Sequence, residues 1–499
     1  MNLKENISQG AQELLRKNLV LKNSMTRVDE HFQPISPDGV VGMYSCGPTV
    51  YKDAHIGNHR ANVFADTLRR TLLLAGYDVK HVINITDVGH LVSDGDDGED
   101  KLMKQAVAEN KTAWEVAGIY TQRWLADLVA LNILMPDVLC KATDHIKEQI
   151  ELVSTLEQKG FTYRTNDGIY FDTSKLDDYG TLSDLDFEHL KAGSRVEMGE
   201  KRNSTDFALW KFSRENEKRD MEWTSPWGLG FPGWHIECSA MAMKYLGPQF
   251  DVHTGGVDLQ QTHHPNEIAQ SEAATGQAPF VKHWMHSGHV NLLTPDEHGV
   301  MRPTKMSKSL GNVITIESLK EQKIDPLALR LMYLKAKYNS PLEVSEESLQ
   351  NVQREYESLR KKVRKSVSTD IPDMEQALST RAQELEMQFI AALASGLNTP
   401  VVLSILWTIL EEDEKLVTSR EKYRLVKAID TILAIDLLEF EQKEESFEIP
   451  EHIYAMAEAR AEKKREKNWA AADELRQQIL SAGYVISDTS TGFTITKRS

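Results

Sequence analysis

The chain has 499 residues, 40% hydrophobic and 27% charged, so it has room for about three domains of roughly 100 to 200 residues each. That composition excludes a small disulfide-stapled module, a disordered chain and a membrane protein, because the longest apolar stretch, Pro400 to Leu410, falls well short of the ~20 residues a span needs. With 58 basic against 75 acidic side chains the net charge is −17, which excludes an indiscriminate coat on nucleic acid but leaves room for a local basic track.

The first twenty residues mix Lys4, Glu5, Glu13 and Arg16 with polar groups and lack a central apolar run, so a cytoplasmic protein is expected. Val41-Gly42-Met43-Tyr44 reads as a strand, Ala61 to Ala75 as an amphipathic helix and Val79 to Ile85 as a second strand. This is the β-α-β sign of a parallel sheet. Glycine and aspartate crowd Asp94 to Asp100 before another helical segment. From Pro136 to Pro226 the texture turns mixed, with hairpin-like pieces around Gly168-Ile169-Tyr170-Phe171, and reads as an insertion between two halves of the sheet domain. Sheet character resumes at Phe250-Asp251-Val252-His253, and after Ile316 the chain is mostly helical to Phe440. Residues 441–445 read as a linker. The last fifty residues read as a helix through Gln478 followed by two short strands, Tyr484-Val485-Ile486 and Phe493-Thr494-Ile495.

Three constellations carry chemistry. Cys46-Gly47-Pro48-Thr49-Val50-Tyr51 and His55-Ile56-Gly57-Asn58 stand between the first strand and its helix, where unpaired backbone amides and a partial positive charge favour an anion such as phosphate. Lys305-Met306-Ser307-Lys308-Ser309 places two lysines three residues apart, which suits the charge gained by a leaving pyrophosphate. A helix cap and a solvated basic loop would account for each alone. Together and in this order they resemble the two ATP-binding signatures of class I aminoacyl-tRNA synthetases.

The third constellation uses two of the three cysteines, a set too sparse for a disulfide framework. Cys46 and Cys238 are joined by His263-His264-Pro265-Asn266-Glu267, in which His263 and Glu267 share a helix face at i, i+4. Two sulfurs, an imidazole and a carboxylate make a plausible Zn²⁺ set, with His264 competing with His263. Two buried cysteines near a surface histidine would be the plainer explanation.

Longer matches extend the resemblance over Val20 to Lys497 and narrow it to the cysteinyl-tRNA synthetase family. They include Asn84-Ile85-Thr86-Asp87, Asp206-Phe207-Ala208-Leu209-Trp210-Lys211, Gly233 to Met241, Gly255-Gly256-Val257-Asp258, Trp284-Met285-His286-Ser287-Gly288, Gly396-Leu397-Asn398-Thr399-Pro400 and Asn468-Trp469-Ala470-Ala471-Ala472-Asp473. The resemblance implies an α/β fold: a doubly wound, Rossmann-like parallel sheet with an inserted connective subdomain, a helical anticodon-binding domain and a small mixed C-terminal unit. Its implied boundaries are 1–135 and 227–314 for the two catalytic halves, 136–226 for the insertion, 315–370 for the stem-contact region, 371–447 for the helical domain and 448–499 for the anticodon unit.

The same resemblance implies one Zn²⁺ held by Cys46, Cys238, His263 and Glu267, which settles the neighbouring histidines in favour of His263. It implies that His55, Asn58, Lys305 and Lys308 act on ATP, which comes with Mg²⁺, and that Gly255, Gly256 and Asp258 meet its adenosine. Thr49, Thr86 and Trp234 are the implied cysteine pocket; Trp234 would serve equally as core. Lys464, Trp469, Asp473 and Asp488 match anticodon positions, where unpaired bases are read by stacking and edge hydrogen bonds. Trp469 would also serve as an anchor for its unit. Arg354 and Arg360 to Lys365 add a candidate phosphate contact. The implied partners are tRNA(Cys), L-cysteine and ATP, with no membrane and no DNA, and the implied state is a monomer. His286 and His289 read as satisfied loop histidines, and Cys140 as a packing residue.

Three departures from the family pattern stand out. Asn58 replaces a histidine and keeps a donor without a titratable role. Gln260-Gln261-Thr262 replaces an apolar stretch ending in proline. Residues 88–101 form a longer piece than the compact form of many members and read as a polar turn. A cysteine ligase that uses a small amine acceptor would lack the region from Leu310 to Ser499, and a non-catalytic paralogue would be expected to have lost phosphate or zinc residues.

Overall fold

The run Val41–Tyr44 lacks polar alternation, which suits a strand covered on both faces, and the computed structural model sets it in the middle of a parallel sheet. The structure describes residues 3–36, 39–88, 100–183, 200–214, 219–296, 298, 300–306, 312–368, 377–439, 451–466, 468–482, 484–489 and 492–497.

Helix α1 (Gln9–Asn18), capped by Ser8, precedes an antiparallel pair, β1 (Val20–Lys22) with β2 (Asp29–His31). β3 (Val41–Ser45), α2 (Ile56–Leu74) and β4 (Val79–Ile85) form the β-α-β unit. α2 begins at Ile56, earlier than its apolar periodicity suggests, because His55 and Asn58 close a reciprocal cap on its first turn. Next come α3 (Lys101–Glu109), α4 (Ala113–Ala130), β5 (Val138–Lys141) and α5 (Ile146–Gln158). An antiparallel sheet follows, built from β6 (Thr162–Arg164), β7 (Gly168–Phe171), β8 (Phe207–Phe212), β9 (Trp223–Ser225) and β10 (Gly228–Pro232) in the order β6-β7-β8-β10-β9.

α6 (Trp234–Leu246), β11 (Phe250–Gly256), α7 (His263–Thr275) and β12 (Val281–Ser287) return the chain to the parallel sheet, whose order is β12-β11-β3-β4-β5. β5 falls inside the span 136–226 expected to be insertion, yet it is paired in parallel with β4, and the antiparallel sheet runs on to Pro232. An edge strand of four residues with only Cys140 buried leaves little sequence signal of its own.

The hairpin β13 (Val290–Pro295) and β14 (Met301–Lys305) is followed by α8 (Ile316–Glu321), α9 (Pro326–Leu334) and β15 (Leu342–Val344), which pairs back onto β13. α10 (Glu346–Ser366), α11 (Thr380–Ala394), α12 (Thr399–Glu411) and α13 (Ser419–Leu433) complete the first of two units, Met1–Leu438. Inside it, α2 is tied to the helical part by charge as well as apolar packing. Asp66 accepts from Arg70 Nε at 2.8 Å and from Arg330 Nη2, while Arg330 Nε donates to Leu433 O at 2.6 Å and Arg70 Nη1 to Thr431 O at 3.0 Å.

The second unit, Glu439–Ser499, holds α14 (Glu451–Arg465), α15 (Trp469–Ser481) and the hairpin β16 (Tyr484–Thr489) with β17 (Gly492–Lys497), around Ile453, Ala457, Ile479 and Ile486. Among the described residues no helix is long and apolar enough to cross a membrane.

Candidate active site

In the parallel sheet β4 follows β3 on one side and β11 lies on the other, so the chain reverses direction across the sheet between β3 and β11. Open α/β sheets bind ligands outside the carboxyl ends of the strands at such a point. Cys46 follows β3, Thr86 follows β4, and Gly255 and Gly256 end β11, so the residues singled out in sequence converge on one place.

Cys46, Cys238, His263 and Glu267 present donor atoms that all lie within 4.8 Å of one another. Cys238 comes from α6 and the other two from the first turns of α7, where i, i+4 spacing sets His263 Nε2 at 3.1 Å from Glu267 Oε1. A second grouping of the same compactness is Cys46, His253, His264 and Glu267, with Cys46 Sγ at 3.4 Å from His264 Nε2. Burial, with Cys238 and Glu267 beside it, pushes the Cys46 thiol well above its ordinary value, so the charge of the first set sits on its other three members. The Cys46 contact, working against burial, draws the Cys238 thiol down to about 7. Burial favours a neutral Glu267, but His253 and His263 outweigh it and hold the carboxyl at about 2. Burial also opposes charge on His263, and the Cys238 thiol and Glu267 outweigh it to bring the imidazole up to about 10. A proton on His263 thus supplies the positive charge that two buried anionic groups demand. This donor set, with borderline-soft sulfur, imidazole and carboxylate, fits Zn²⁺.

A ring of histidines surrounds the quartet, and sequence patterns gave no role to most of it. His253 Nε2 lies 3.1 Å from Glu267 Oε2, its ring stacked on Trp284, and His235 Nδ1 lies 3.0 Å from His263 Nδ1. His264 Nδ1 meets His286 Nε2 at 2.8 Å, and His286 Nδ1 meets Ser24 Oγ at 2.8 Å. His286 is therefore a buried residue of β12 rather than a loop histidine, and burial holds it at about 3. A detectable signal was present: His253 and His286 are polar positions in strands buried along nearly their whole length.

Thr49 and Thr86 form a parallel bridge, with Thr86 N donating to Pro48 O at 3.0 Å and Val50 N to Thr86 O at 3.2 Å. Trp234 opens α6 with its ring centroid 4.6 Å from that of His263. Of the three implied pocket residues, Trp234 touches the metal-type cluster, while Thr49 and Thr86 are paired with one another. A Cβ on Gly255 would come within 2.7 Å of the His264 ring, so that position is closed to any side chain.

At the α2 terminus, His55 Nδ1 accepts from Asn58 N–H at 3.2 Å and Asn58 Oδ1 accepts from His55 N–H at 3.0 Å. Occupation of the Nδ1 lone pair leaves the proton of the neutral ring on Nε2, which makes that nitrogen a donor. Asp258 is exposed in the turn after β11, where Val257 N donates to Ser287 O at 2.9 Å. Lys305 ends β14, with its neighbour Met306 buried against Gly57 of α2. Lys308 lies outside the described residues.

In the second unit Trp469 starts α15 and is 59% exposed, and Asp473, one turn on, is exposed on the same face. Lys464 lies near the end of α14, and Asp488 stands in β16 opposite Phe493.

Residues 31–354 match the family described as the tRNA synthetases class I (C) catalytic domain. The chain is 45% identical over 474 residues to cysteine–tRNA ligase 1 of Burkholderia lata, covering 95% of this chain and 96% of that one. It is 39% identical over 486 residues to the cysteine–tRNA ligase of Thermus thermophilus, covering 95% and 98%. Among solved structures, methionyl-tRNA synthetase of Mycobacterium tuberculosis bound by methionyl-adenylate shares the fold, with a TM-score of 0.52 at 14% identity over 79% of this chain and 90% of that one.

Proposed function

The chain belongs to the cysteine–tRNA ligases, class I synthetases that join cysteine to tRNA at the expense of ATP, and from that premise we propose that it forms cysteinyl-adenylate and uses zinc to select cysteine over serine. The observation that carries the second half is the convergence of Cys46, Cys238, His263 and Glu267 at the switch point of the sheet. These four would hold the ion; a set with two sulfurs suits Zn²⁺ better than the alternative with two imidazoles and one sulfur. Zinc bound there supplies a soft Lewis acid that prefers a thiolate to an alcohol. Shape alone would be weak, since one small group in a pocket is worth only ~1–3 kcal/mol, or roughly 10- to 200-fold.

The chain's own groups then orient and neutralise. Thr49, Thr86 and Trp234 border the amino acid, while Gly255 and Gly256 let the nucleotide come close and Asp258 accepts from a ribose hydroxyl. A carboxylate oxygen of cysteine forms the bond to the ATP α-phosphorus, and pyrophosphate leaves with its Mg²⁺. His55 Nε2–H, Asn58, Lys305 and Lys308 balance the charge that grows on the phosphates, so no side-chain nucleophile is needed. A terminal ribose hydroxyl of tRNA(Cys) next takes the cysteinyl group and AMP leaves. Lys464, Trp469, Asp473 and Asp488 read the anticodon. Under this reading the enzyme works as a cytoplasmic monomer.

The test is cysteine-dependent ATP–pyrophosphate exchange with metal analysis. One zinc per chain, exchange with cysteine but not serine, and loss of both metal and exchange in Cys238→Ser are expected. Exchange retained in a zinc-free Cys238→Ser protein, or tRNA charged with serine at comparable efficiency, refutes the metal role.

A further inference from the structure

Arg60 lies one turn beyond the His55 cap of α2 and is only 2% exposed. Burial brings its guanidinium down to about 10, so it stays charged at neutral pH. Backbone carbonyls surround that charge. Nη1 donates to Gly288 O at 3.2 Å and His289 O at 2.7 Å, in the turn between β12 and β13, and Nη2 donates to Lys337 O at 3.2 Å and Ser340 O at 2.5 Å, between α9 and β15.

The two stretches held in this way frame the hairpin that ends in Lys305. β13 starts directly after His289 and pairs with β14, placing Asn291 opposite Lys305, and on its other edge it pairs with β15 just beyond Ser340. The backbones cross closely there: a Cβ on Gly288 would lie 2.3 Å from Ser340 O. The helix that supplies the guanidinium also supplies His55 and Asn58. Its first residue, Ile56, donates through N to Ile314 O at 2.9 Å, and Phe64, one turn after Arg60, stacks on Tyr338 with centroids 4.3 Å apart.

We propose that Arg60 is a positioning residue for adenylate formation: by binding the carbonyls of Gly288, His289, Lys337 and Ser340, it fixes the β13–β14 hairpin, and with it Lys305, relative to the His55–Asn58 turn. The inference rests on the reading of these two elements as the ATP site. Arginine is required because one planar fork offers separate nitrogens to two stretches of chain, whereas a lysine is a point donor and reaches only one of them well. Arg60 need not touch ATP. Its effect is on how two phosphate-binding elements face each other, and an error of ~1 Å in such placement costs about 10²-fold in rate.

The test measures exchange in purified Arg60→Met and Arg60→Lys, below their melting temperatures, with KM for cysteine and for ATP and zinc content recorded. The expected result is kcat lowered about 10²-fold in Arg60→Met, with KM for cysteine and zinc content unchanged, and only partial recovery in Arg60→Lys, to a kcat still about tenfold below wild type. If Arg60→Met does not fold, Arg60→Lys decides by the same measurements. A folded variant with wild-type kcat overturns the proposal, and so does a fall in kcat matched by loss of zinc or of cysteine affinity, since that would be general damage to the site. Wild-type protein without cysteine-dependent exchange would instead refute the activity itself, a result visible before any variant is made.

Discussion

Gly47 offers a severe test of how tightly the site is fixed. It follows Cys46, its N–H donates to Asn84 Oδ1 at 2.8 Å, and a Cβ built on it would lie 1.6 Å from Asn84 O and 2.7 Å from Asn84 C. Contacts below 3.0 Å are not tolerated, so Gly47→Ala must open this gap by about 1.4 Å, the difference between 3.0 and 1.6 Å. The obstacle is backbone, not the end of a flexible side chain. Asn84 Nδ2 also donates to Thr86 Oγ1 at 3.0 Å, so relief on one side carries Cys46 away from Cys238 and Glu267, and relief on the other displaces Thr86. Overpacking of this kind costs ~1–3 kcal/mol of stability. Misplacement by more than ~1 Å is expected to lower exchange kcat by about 10²-fold or more. The assay is cysteine-dependent exchange with zinc analysis, against Gly118→Ala as control. A Cβ at Gly118, inside α4, meets nothing within 4 Å, so that change is expected to stabilise by at most ~1 kcal/mol and leave kcat alone. Wild-type exchange and full zinc in Gly47→Ala would refute the claim that this backbone crossing sets the cluster.

Two further outcomes follow from the same structure. Asp66→Asn leaves Arg70 and Arg330 buried with neutral partners and should cost ~3–5 kcal/mol in denaturant unfolding. Although burial opposes it, pairing with Arg330 and Arg70 holds the Asp66 carboxyl below its usual range. Its stabilisation is therefore present above the unfolded value near ~3.9 and is lost as pH falls through the lower folded value, and Asp66→Asn should lack that acid limb. Trp469→Ala should lower kcat/KM for tRNA by roughly 5- to 150-fold, a stacking loss of ~1–3 kcal/mol, while exchange is unchanged and Trp469→Phe keeps most charging. Equal loss of exchange in Trp469→Ala would show instead that this exposed indole supports the fold.

Strand identity was legible where a buried run is also largely apolar, and was not at β12, where buried histidines break the apolar run. Val79–Ile85 was delimited to the residue because its last five positions are all buried, and Val41 to Tyr44 falls one residue short of the observed strand. β5 was not, since a short edge strand shows one buried position. The metal-type residues were legible as a set of donors, but spacing alone could not choose between His263 and His264, and the structure shows why: both rings reach the Cys46–Glu267 region, from adjacent positions at the start of one helix. His253, His235, Ser24 and Arg60 were missed for a common reason. Each acts on a partner far away in sequence, and a lone polar residue in a buried strand or helix does not reveal which distant atom it faces.

The buried polar cluster also runs against the logic of the rest of the core. A thiol, a carboxylate and several imidazoles have been removed from water at the switch point, with a second thiol partly so, and unpaired burial of such groups is costly. Mutual pairing recovers part of that cost, as the raised His263 and lowered Glu267 show, but an apolar core of equal volume would stabilise the sheet better. Retention of the cluster is explained if the native state binds a cation there that the unfolded chain does not hold in place, because such binding adds RT ln(1 + [L]/Kd) to stability. The same residues would then offset their own burial and discriminate the substrate. This joins stability to selectivity: a change that relaxes the ring of histidines is expected to weaken metal retention before it disturbs the surrounding apolar packing.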